Sequence, residues 1–268
     1  MFIFSTSQPK FMNTLESLNN KIEHAGGLNF SVIFEQSVDL FKKVWLKGFI
    51  TVFVIVACAV GINFLFGLFG LSPFAYNFKD GFDLESFSQH QTKSILYAVP
   101  QNIILSALTT ALVGGFYRIC KQVVLAENET DAYFYFFKPE YYSKLLMLGI
   151  LYTGIATIAQ LLYFVPYIYA FVPLSYFSII FAMNPHLTEM EIVKASFKIG
   201  HKKWLITFGT MFVTGLLAML GVLACFVGLL FTMCLVYLPV FFIYKEVVGF
   251  DNSSEIDQIG AMDNDSNY

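Results

Sequence analysis

Two very long stretches without a charged residue dominate the second half of this sequence. Residues 145–183 and 204–244 contain no Asp, Glu, Lys or Arg over 39 and 41 positions. A helix needs about 20 apolar residues to cross a hydrocarbon core of ~30 Å, because it rises ~1.5 Å per residue. Each stretch is therefore long enough for two transmembrane helices joined by a tight turn.

Six apolar segments of membrane-spanning length can be placed along the chain. The first two cover residues 48–70 and 95–117. Pro166 and Pro173 favour a break between the third and fourth segments, and Cys225 and Gly228 mark the predicted turn between the fifth and sixth. With 57% hydrophobic and 13% charged residues, the chain has more apolar surface than a soluble domain can bury. We therefore predict an all-α polytopic membrane bundle of six transmembrane helices in three hairpins.

The distribution of basic residues indicates the orientation of this bundle. Lys and Arg concentrate in the cytoplasmic loops of membrane proteins. With three hairpins, 14 of the 16 Lys and Arg residues fall on one side of the membrane, and only Lys79 and Lys93 fall on the other. We therefore predict that both termini are cytoplasmic.

Three stretches on the basic side carry apolar residues at helical spacing beside lysines, as interfacial amphipathic segments do. One precedes each hairpin, at residues 30–45, 133–142 and 190–204. The first and third share Ser, Lys, Trp and Leu in register when Ser37 is aligned with Ser196. This register indicates an internal repeat.

Composition divides the chain into three parts. Residues 1–28 form a polar cytoplasmic segment, and residues 29–249 form the six-helix membrane domain. Residues 250–268 carry five acidic residues and no basic residue, so we predict a disordered acidic tail.

A few amides are the candidates for a polar site within the membrane. Acidic and basic side chains in membrane spans usually mark ion paths or substrate sites, and the predicted spans contain none. Gln101, Asn102 and Gln160 remain, and Pro100 would free a backbone carbonyl beside the first two. The alternative role for these amides is hydrogen bonding between helices.

Four basic residues are candidates for contacts with lipid headgroups. Arg118 is the only arginine and ends the second span, where its guanidinium can bind a phosphate through two hydrogen bonds. Lys194, Lys198 and Lys202 recur every four residues and would lie on one helix face. Anchoring of the helices at the interface is the alternative role for all four.

The sequence predicts no catalytic residues, no metal site and no cofactor. All four histidines lie outside the predicted spans, and the four cysteines are far apart. The basic residues are scattered, which argues against nucleic acid as a partner. The expected partners are membrane lipids, another membrane protein, or a second copy of this chain.

Two short motifs resemble those of a known group of proteins. Gly115-Phe-Tyr-Arg118 with Glu127 and Phe134, and Asn184-Pro185 through Ser196 to Trp204, resemble a family of uncharacterised bacterial six-helix membrane proteins. That family is similar to the membrane-anchoring domain of glycerophosphodiester phosphodiesterases. The resemblance implies a bacterial inner-membrane location and a membrane domain without the phosphodiesterase part. The residues from Met12 resemble the usual start of Bacteroidota members, so Met1 to Phe11 are expected to be an upstream extension.

Three hypotheses for function follow from the sequence. The first is a non-enzymatic scaffold, lipid-interacting protein or partner subunit, because no acidic or basic group lies in the spans. The second is a transporter or channel for a neutral or lipidic solute, because of the repeat and the break at Pro100. The third is a lipid-modifying or carotene-cleaving membrane enzyme with His186 and His201 as ligands, since some proteins of the resembling family carry a carotene-oxygenase label.

Overall fold

A computed structural model describes residues 13–70, 83–126, 133–162, 164–224 and 227–250 of the chain. Within these ranges 87% of the residues are helical and none lies in a strand. Six segments are helical, long and apolar enough to cross a membrane. The chain is therefore a multi-pass membrane protein, and the prediction of an all-α fold with six spans is confirmed. The hairpin arrangement and the cytoplasmic termini stay predictions, and the acidic tail beyond residue 250, Met12 and Cys225 lie outside the described residues.

Ten α-helices and two 3-10 segments make up the described chain. In order they are α1 (Leu15–His24), α2 (Phe30–Leu68), α3 (Leu84–Leu125), α4 (Pro139–Leu161), α5 (Phe164–Ser175), α6 (Phe177–Met183), α7 (Glu189–Lys202), α8 (Trp204–Met219), a 3-10 segment (Leu220–Ala224), α9 (Val227–Thr232), a second 3-10 segment (Met233–Tyr237) and α10 (Leu238–Val247). The long helix α3 contacts α2, α4 and α6, so it lies at the centre of the bundle.

The first predicted interfacial segment is continuous with the first span. Both belong to α2, whose 39 residues extend for about 58 Å at ~1.5 Å per residue. The first half of α2 buries one stripe at helical spacing, which includes Ile33, Ser37, Leu40 and Val44. No residue of α2 after Val52 is buried, although Ile55 still packs against the core.

The internal repeat is visible in the packing as well as in the sequence. With Ser37 aligned to Ser196, most buried positions coincide, although Ala195 and Gly200 are buried and their counterparts Gln36 and Phe41 are only partly buried. The pairs that are buried in both copies are Ile33 and Ile192, Leu40 and Ile199, Val44 and Lys203, Gly48 and Thr207, Thr51 and Thr210, Val52 and Met211. Ser37 and Ser196 each donate a 2.7 Å hydrogen bond to the isoleucine carbonyl four residues earlier. The first and third units therefore share much of one packing pattern.

The break between the third and fourth spans differs from the prediction. Helix α4 ends at Leu161 and α5 begins at Phe164, so the break comes before both prolines. Pro166 lies in the first turn of α5, where a missing backbone N–H costs little. Pro173 lies inside α5 and cannot donate to the Tyr169 carbonyl one turn earlier, and the Trp204 indole donates to that carbonyl instead, at 3.2 Å.

Candidate functional site

A cavity of about 470 Å³, partly open to the surroundings, lies among the helices of the bundle, and we call it the central cavity. Its walls come from α3, α4, α5, α6, α8, the second 3-10 segment and α10. Along α3 it extends from Asn102 to Tyr117, which corresponds to about 22 Å at ~1.5 Å per residue. Its volume lies within the range of ~300 to 1,000 Å³ that is usual for small-molecule sites.

Side chains with a hydroxyl or amide group are interspersed among apolar ones in the lining of the central cavity, and most of the cavity surface is apolar. The hydroxyl and amide side chains are those of Asn102, Ser106, Thr109, Thr110, Tyr117, Tyr152, Thr153, Thr157, Gln160, Tyr167, Ser175, Ser178 and Tyr237. The other lining residues are apolar, among them Phe171, Met211 and Met233. The cavity therefore offers many hydrogen-bonding groups within an otherwise apolar site, and its described lining includes no Asp, Glu, Lys, Arg or His.

The wall between α3 and α4 is a close helix crossing built from small residues. A methyl group on Gly149 would lie 2.6 Å from the carbonyl oxygen of Ile103, so the two backbones can approach only with glycine at this position. Ser106 donates to the Gly149 carbonyl at 3.1 Å, and its hydroxyl lies 3.0 Å from that of Thr153. These bonds fix two cavity-lining hydroxyls in place.

Tyrosines line the end of the cavity at Tyr117. Tyr117 is fully buried and donates to the carbonyl of Tyr237 at 3.1 Å, which connects α3 to the second 3-10 segment. Just behind this wall, the hydroxyls of Tyr176 and Thr207 share a 2.7 Å hydrogen bond. We call the part of the bundle where the first half of α2 packs against the end of α10 the lysine-rich end. Rigid aromatic rings therefore define the side of the cavity that is nearest to the lysine-rich end.

Two of the three predicted intramembrane amides lie in the central cavity. Asn102 and Gln160, from α3 and α4, line its end farthest from Tyr117. Gln101 does not line it: its side chain is 8% exposed, and its Oε1 atom has no hydrogen-bond partner in the described chain. The lining hydroxyls were not predicted, since Ser and Thr are also common in ordinary helix packing.

Arg118 packs against an aromatic ring in the structure. Its guanidinium carbon lies 3.8 Å from the ring centroid of Tyr135, and the ammonium of Lys138 lies 4.5 Å from the same centroid. Cation–π attraction therefore holds the loop before α4 against the end of α3. Gly115 supports the same contact, because a side chain there would meet the carbonyl oxygen of Tyr133.

Two of the three lysines in the predicted row hold α1 in place. Lys198 forms an ion pair with Glu23, and Lys202 donates to the Glu23 carbonyl, while Lys194 is exposed. The bond from Lys198 and its positive charge lower the pKa of Glu23. Cations at this position also suit the negative end of the α1 dipole.

The residue after this row completes the contact with the end of α1. Lys203 is buried, and its ammonium donates to the carbonyl of Gly26. Burial lowers the pKa of Lys203. Leu18 and Ile22 of α1 are also buried, at 0% and 1% exposure. The segment predicted as polar therefore contains a helix docked on α7.

The residues that cap α7, and the two histidines proposed as metal ligands, all form hydrogen bonds within the protein. Thr188 and Glu191 form a capping box, and the bonds from the Thr188 backbone and hydroxyl lower the pKa of Glu191. His186 donates to the Asn13 carbonyl at 2.8 Å, and His201 shares a 2.9 Å bond with Tyr169. Among the described residues no group of three or more His, Cys, Asp or Glu side chains converges.

Comparison with known proteins adds no relative to this description. No family model, curated protein or solved structure matches the chain. The resemblance to bacterial six-helix membrane proteins therefore stays a prediction that rests on its short motifs.

Proposed function

We propose that this protein is a non-enzymatic membrane protein that binds a neutral lipid in its central cavity. The ligand would have an extended apolar body and one end that carries a hydroxyl or carbonyl group. The observation that carries this proposal is the lining, which combines hydroxyls and two amides with apolar side chains and with no acidic or basic group among the described residues. Such a lining favours an uncharged ligand, because an unpaired charge in a membrane interior is costly.

The two ends of the cavity suggest how the ligand lies. Asn102 and Gln160 can each donate and accept hydrogen bonds, so they suit the polar end of the ligand. Met211, Val113 and Val240 line the part toward Tyr117 and suit an alkyl chain. A flexible methionine adapts to ligands of different shape.

A photoactivatable long-chain fatty alcohol tests this proposal on the purified full-length protein. We expect it to crosslink to peptides of α3 and α4. The double variant Asn102→Leu with Gln160→Leu should reduce crosslinking by about 30-fold, since each of two buried hydrogen bonds contributes ~1 kcal/mol. The matched control is Gln101→Leu, which removes a neighbouring amide that does not line the cavity. Equal crosslinking in the double variant and the control would refute the proposal.

Transport of the same class of ligand is a second candidate function. Pro100 lies inside α3 only two residues before Asn102, so the helix lacks one backbone hydrogen bond next to an end of the cavity. A local distortion of α3 there would widen the connection between the cavity and its surroundings. Movement of a fluorescent fatty alcohol across liposomes that contain the protein, and its slowing in Pro100→Ala, would support transport. Equal rates with and without protein would exclude it.

A further inference from the structure

A second pocket, of about 250 Å³, lies at the lysine-rich end of the bundle, and we call it the interfacial pocket. Its polar side chains are Gln36, Asp39 and Lys43 from α2 and Lys245 from α10. Phe242 and two valines near the end of α3 provide an apolar wall. The pocket shares no lining residue with the central cavity, so the two are separate sites.

The depth of the interfacial pocket matches that of lipid headgroups. Lys43 comes five residues before Gly48, where the first uncharged span begins, which is about 7.5 Å along α2. Lys245 directly follows the last uncharged span. The headgroup layer occupies ~5 to 8 Å on each side of the hydrocarbon core. From these span limits, both ammonium groups are expected near the level of lipid phosphates.

The polar groups of this pocket are of two kinds. Lys43 and Lys245 are cations, and Lys245 also lies 4.0 Å from the Glu246 carboxylate and 5.7 Å from the centre of the Phe242 ring. Asp39 and Gln36 offer oxygen acceptors. Asp39 binds Lys42 at 2.8 Å, and the buried Oε1 atom of Gln36 has no hydrogen-bond partner within the described chain. A buried acceptor of this kind is costly unless a donor meets it.

The internal repeat shows what the corresponding surface of the third unit binds. In the alignment of Ser37 with Ser196, Asp39 corresponds to Lys198 and Lys43 corresponds to Lys202. Lys198 and Lys202 bind the carboxylate and the backbone carbonyl of Glu23, so oxygen atoms of α1 occupy that surface. At the interfacial pocket, Lys43 has the same position as Lys202, and the space beside it is open.

We propose that the interfacial pocket binds the headgroup of a phospholipid that ends in a primary ammonium, as in phosphatidylethanolamine. The phosphate lies between Lys43 and Lys245, because both are cations at phosphate depth. The ammonium lies against the Asp39 carboxylate. Because Gln36 Oε1 is buried, the Gln36 amide must turn toward the pocket, where the ammonium then supplies the donor that Oε1 lacks. The chain of the lipid nearest to the pocket packs on Phe242.

Native mass spectrometry of the delipidated full-length protein tests this assignment. The probes are phosphatidylethanolamine, phosphatidylcholine and phosphatidylglycerol with identical acyl chains. We expect phosphatidylethanolamine to bind about tenfold more tightly than phosphatidylcholine, whose methylated ammonium has no N–H to donate. Equal binding of these two, or tighter binding of phosphatidylglycerol, would overturn the assignment of the ammonium.

Variants then locate the binding site. Lys43→Gln with Lys245→Gln is expected to weaken phosphatidylethanolamine binding by about 10- to 30-fold, since each lysine near the lipid surface contributes ~1 kcal/mol. The control is Lys93→Gln with Lys194→Gln, which removes the same charge at two exposed positions outside the pocket. An equal loss in both double variants would overturn the proposal. Gln36→Leu should remove the preference for phosphatidylethanolamine over phosphatidylcholine, and a preserved preference would show that Gln36 is not a ligand.

Discussion

The close crossing of α3 and α4 at Gly149 gives a stability prediction with a built-in control. Gly149→Ala adds one methyl group, which would lie 2.6 Å from the Ile103 oxygen and 3.0 Å from the Ala107 methyl. Gly154→Ala adds the same group to the same helix, and nothing lies within 4 Å of that position. Both changes replace glycine by alanine inside α4, so they share the same gain in helix propensity.

The magnitude follows from the required movement. Ordinary van der Waals contact for this methyl needs about 3.4 Å or more, so α3 and α4 must separate by ~0.8 Å at the crossing. Overpacking of this kind costs ~1 to 3 kcal/mol, and the obstructing atom is backbone, which places the cost toward the upper end. Helix propensity returns up to ~1 kcal/mol in both variants. We therefore expect Gly149→Ala to be about 2 to 3 kcal/mol less stable than Gly154→Ala.

Unfolding of the purified protein in mixed detergent micelles, titrated with sodium dodecyl sulfate and followed by circular dichroism, measures this difference. The two variants should differ in their folded-to-unfolded ratio by about 30- to 150-fold at a common detergent composition. Because Ser106 and Thr153 meet beside Gly149, we also expect Gly149→Ala to weaken crosslinking of the fatty alcohol in the central cavity. Equal stability of the two variants would refute the assignment of a close crossing.

Three further predictions concern the end of the bundle where α1 and α7 pack. Leu18→Ala should undock α1, because truncation of a fully buried leucine costs ~2 to 5 kcal/mol. Limited proteolysis between residues 25 and 29 should then be faster than in wild type and faster than in Asn20→Ala, a control at an exposed position. Lys198 lowers the pKa of Glu23 below 4.5. The ion pair therefore stabilises the docking of α1 fully above that pH, and this stabilisation is lost as the pH falls through the lowered pKa. Hydrogen exchange of α1 should show this change in wild type and not in Lys198→Gln. Thr188→Ala removes the capping box and should cost ~0.5 to 2 kcal/mol, seen as faster hydrogen exchange in the first turn of α7, with little change in Thr188→Ser.

The number and type of the spans could be predicted because they depend on composition alone. A stretch of 39 or 41 uncharged residues has no stable place in a domain of this size except within lipid. The helix ends were harder to place. Pro166 and Pro173 indicated a break, but a proline is tolerated in the first turn of a helix, and a partner such as Trp204 can satisfy the carbonyl that an internal proline leaves free.

The candidate sites could be predicted only in part, because both depend on which helix faces converge. Asn102 and Gln160 stand out as amides in apolar runs, whereas Thr153 and Ser106 look like ordinary packing residues until α3 and α4 are brought together. The docking of α1 could have been predicted from the spacing of its apolar residues, although the average polarity of residues 1–28 does not indicate it. Leu18 and Ile22 are four residues apart after the N-cap Thr14, which is the spacing of one apolar helix face.

The contact between α1 and α7 has a consequence for the order of biosynthesis. Glu23 and Lys198 are separated by 175 positions, so α1 leaves the ribosome long before its binding surface exists. Four of the six spans, as far as Met183, must be synthesised before α7 follows them. Until then the apolar face of α1 stays unburied at the membrane surface. A docked α1 is therefore a marker of a chain that has been synthesised at least through α7, and a nascent chain that stalls earlier would leave this face open to chaperones and proteases.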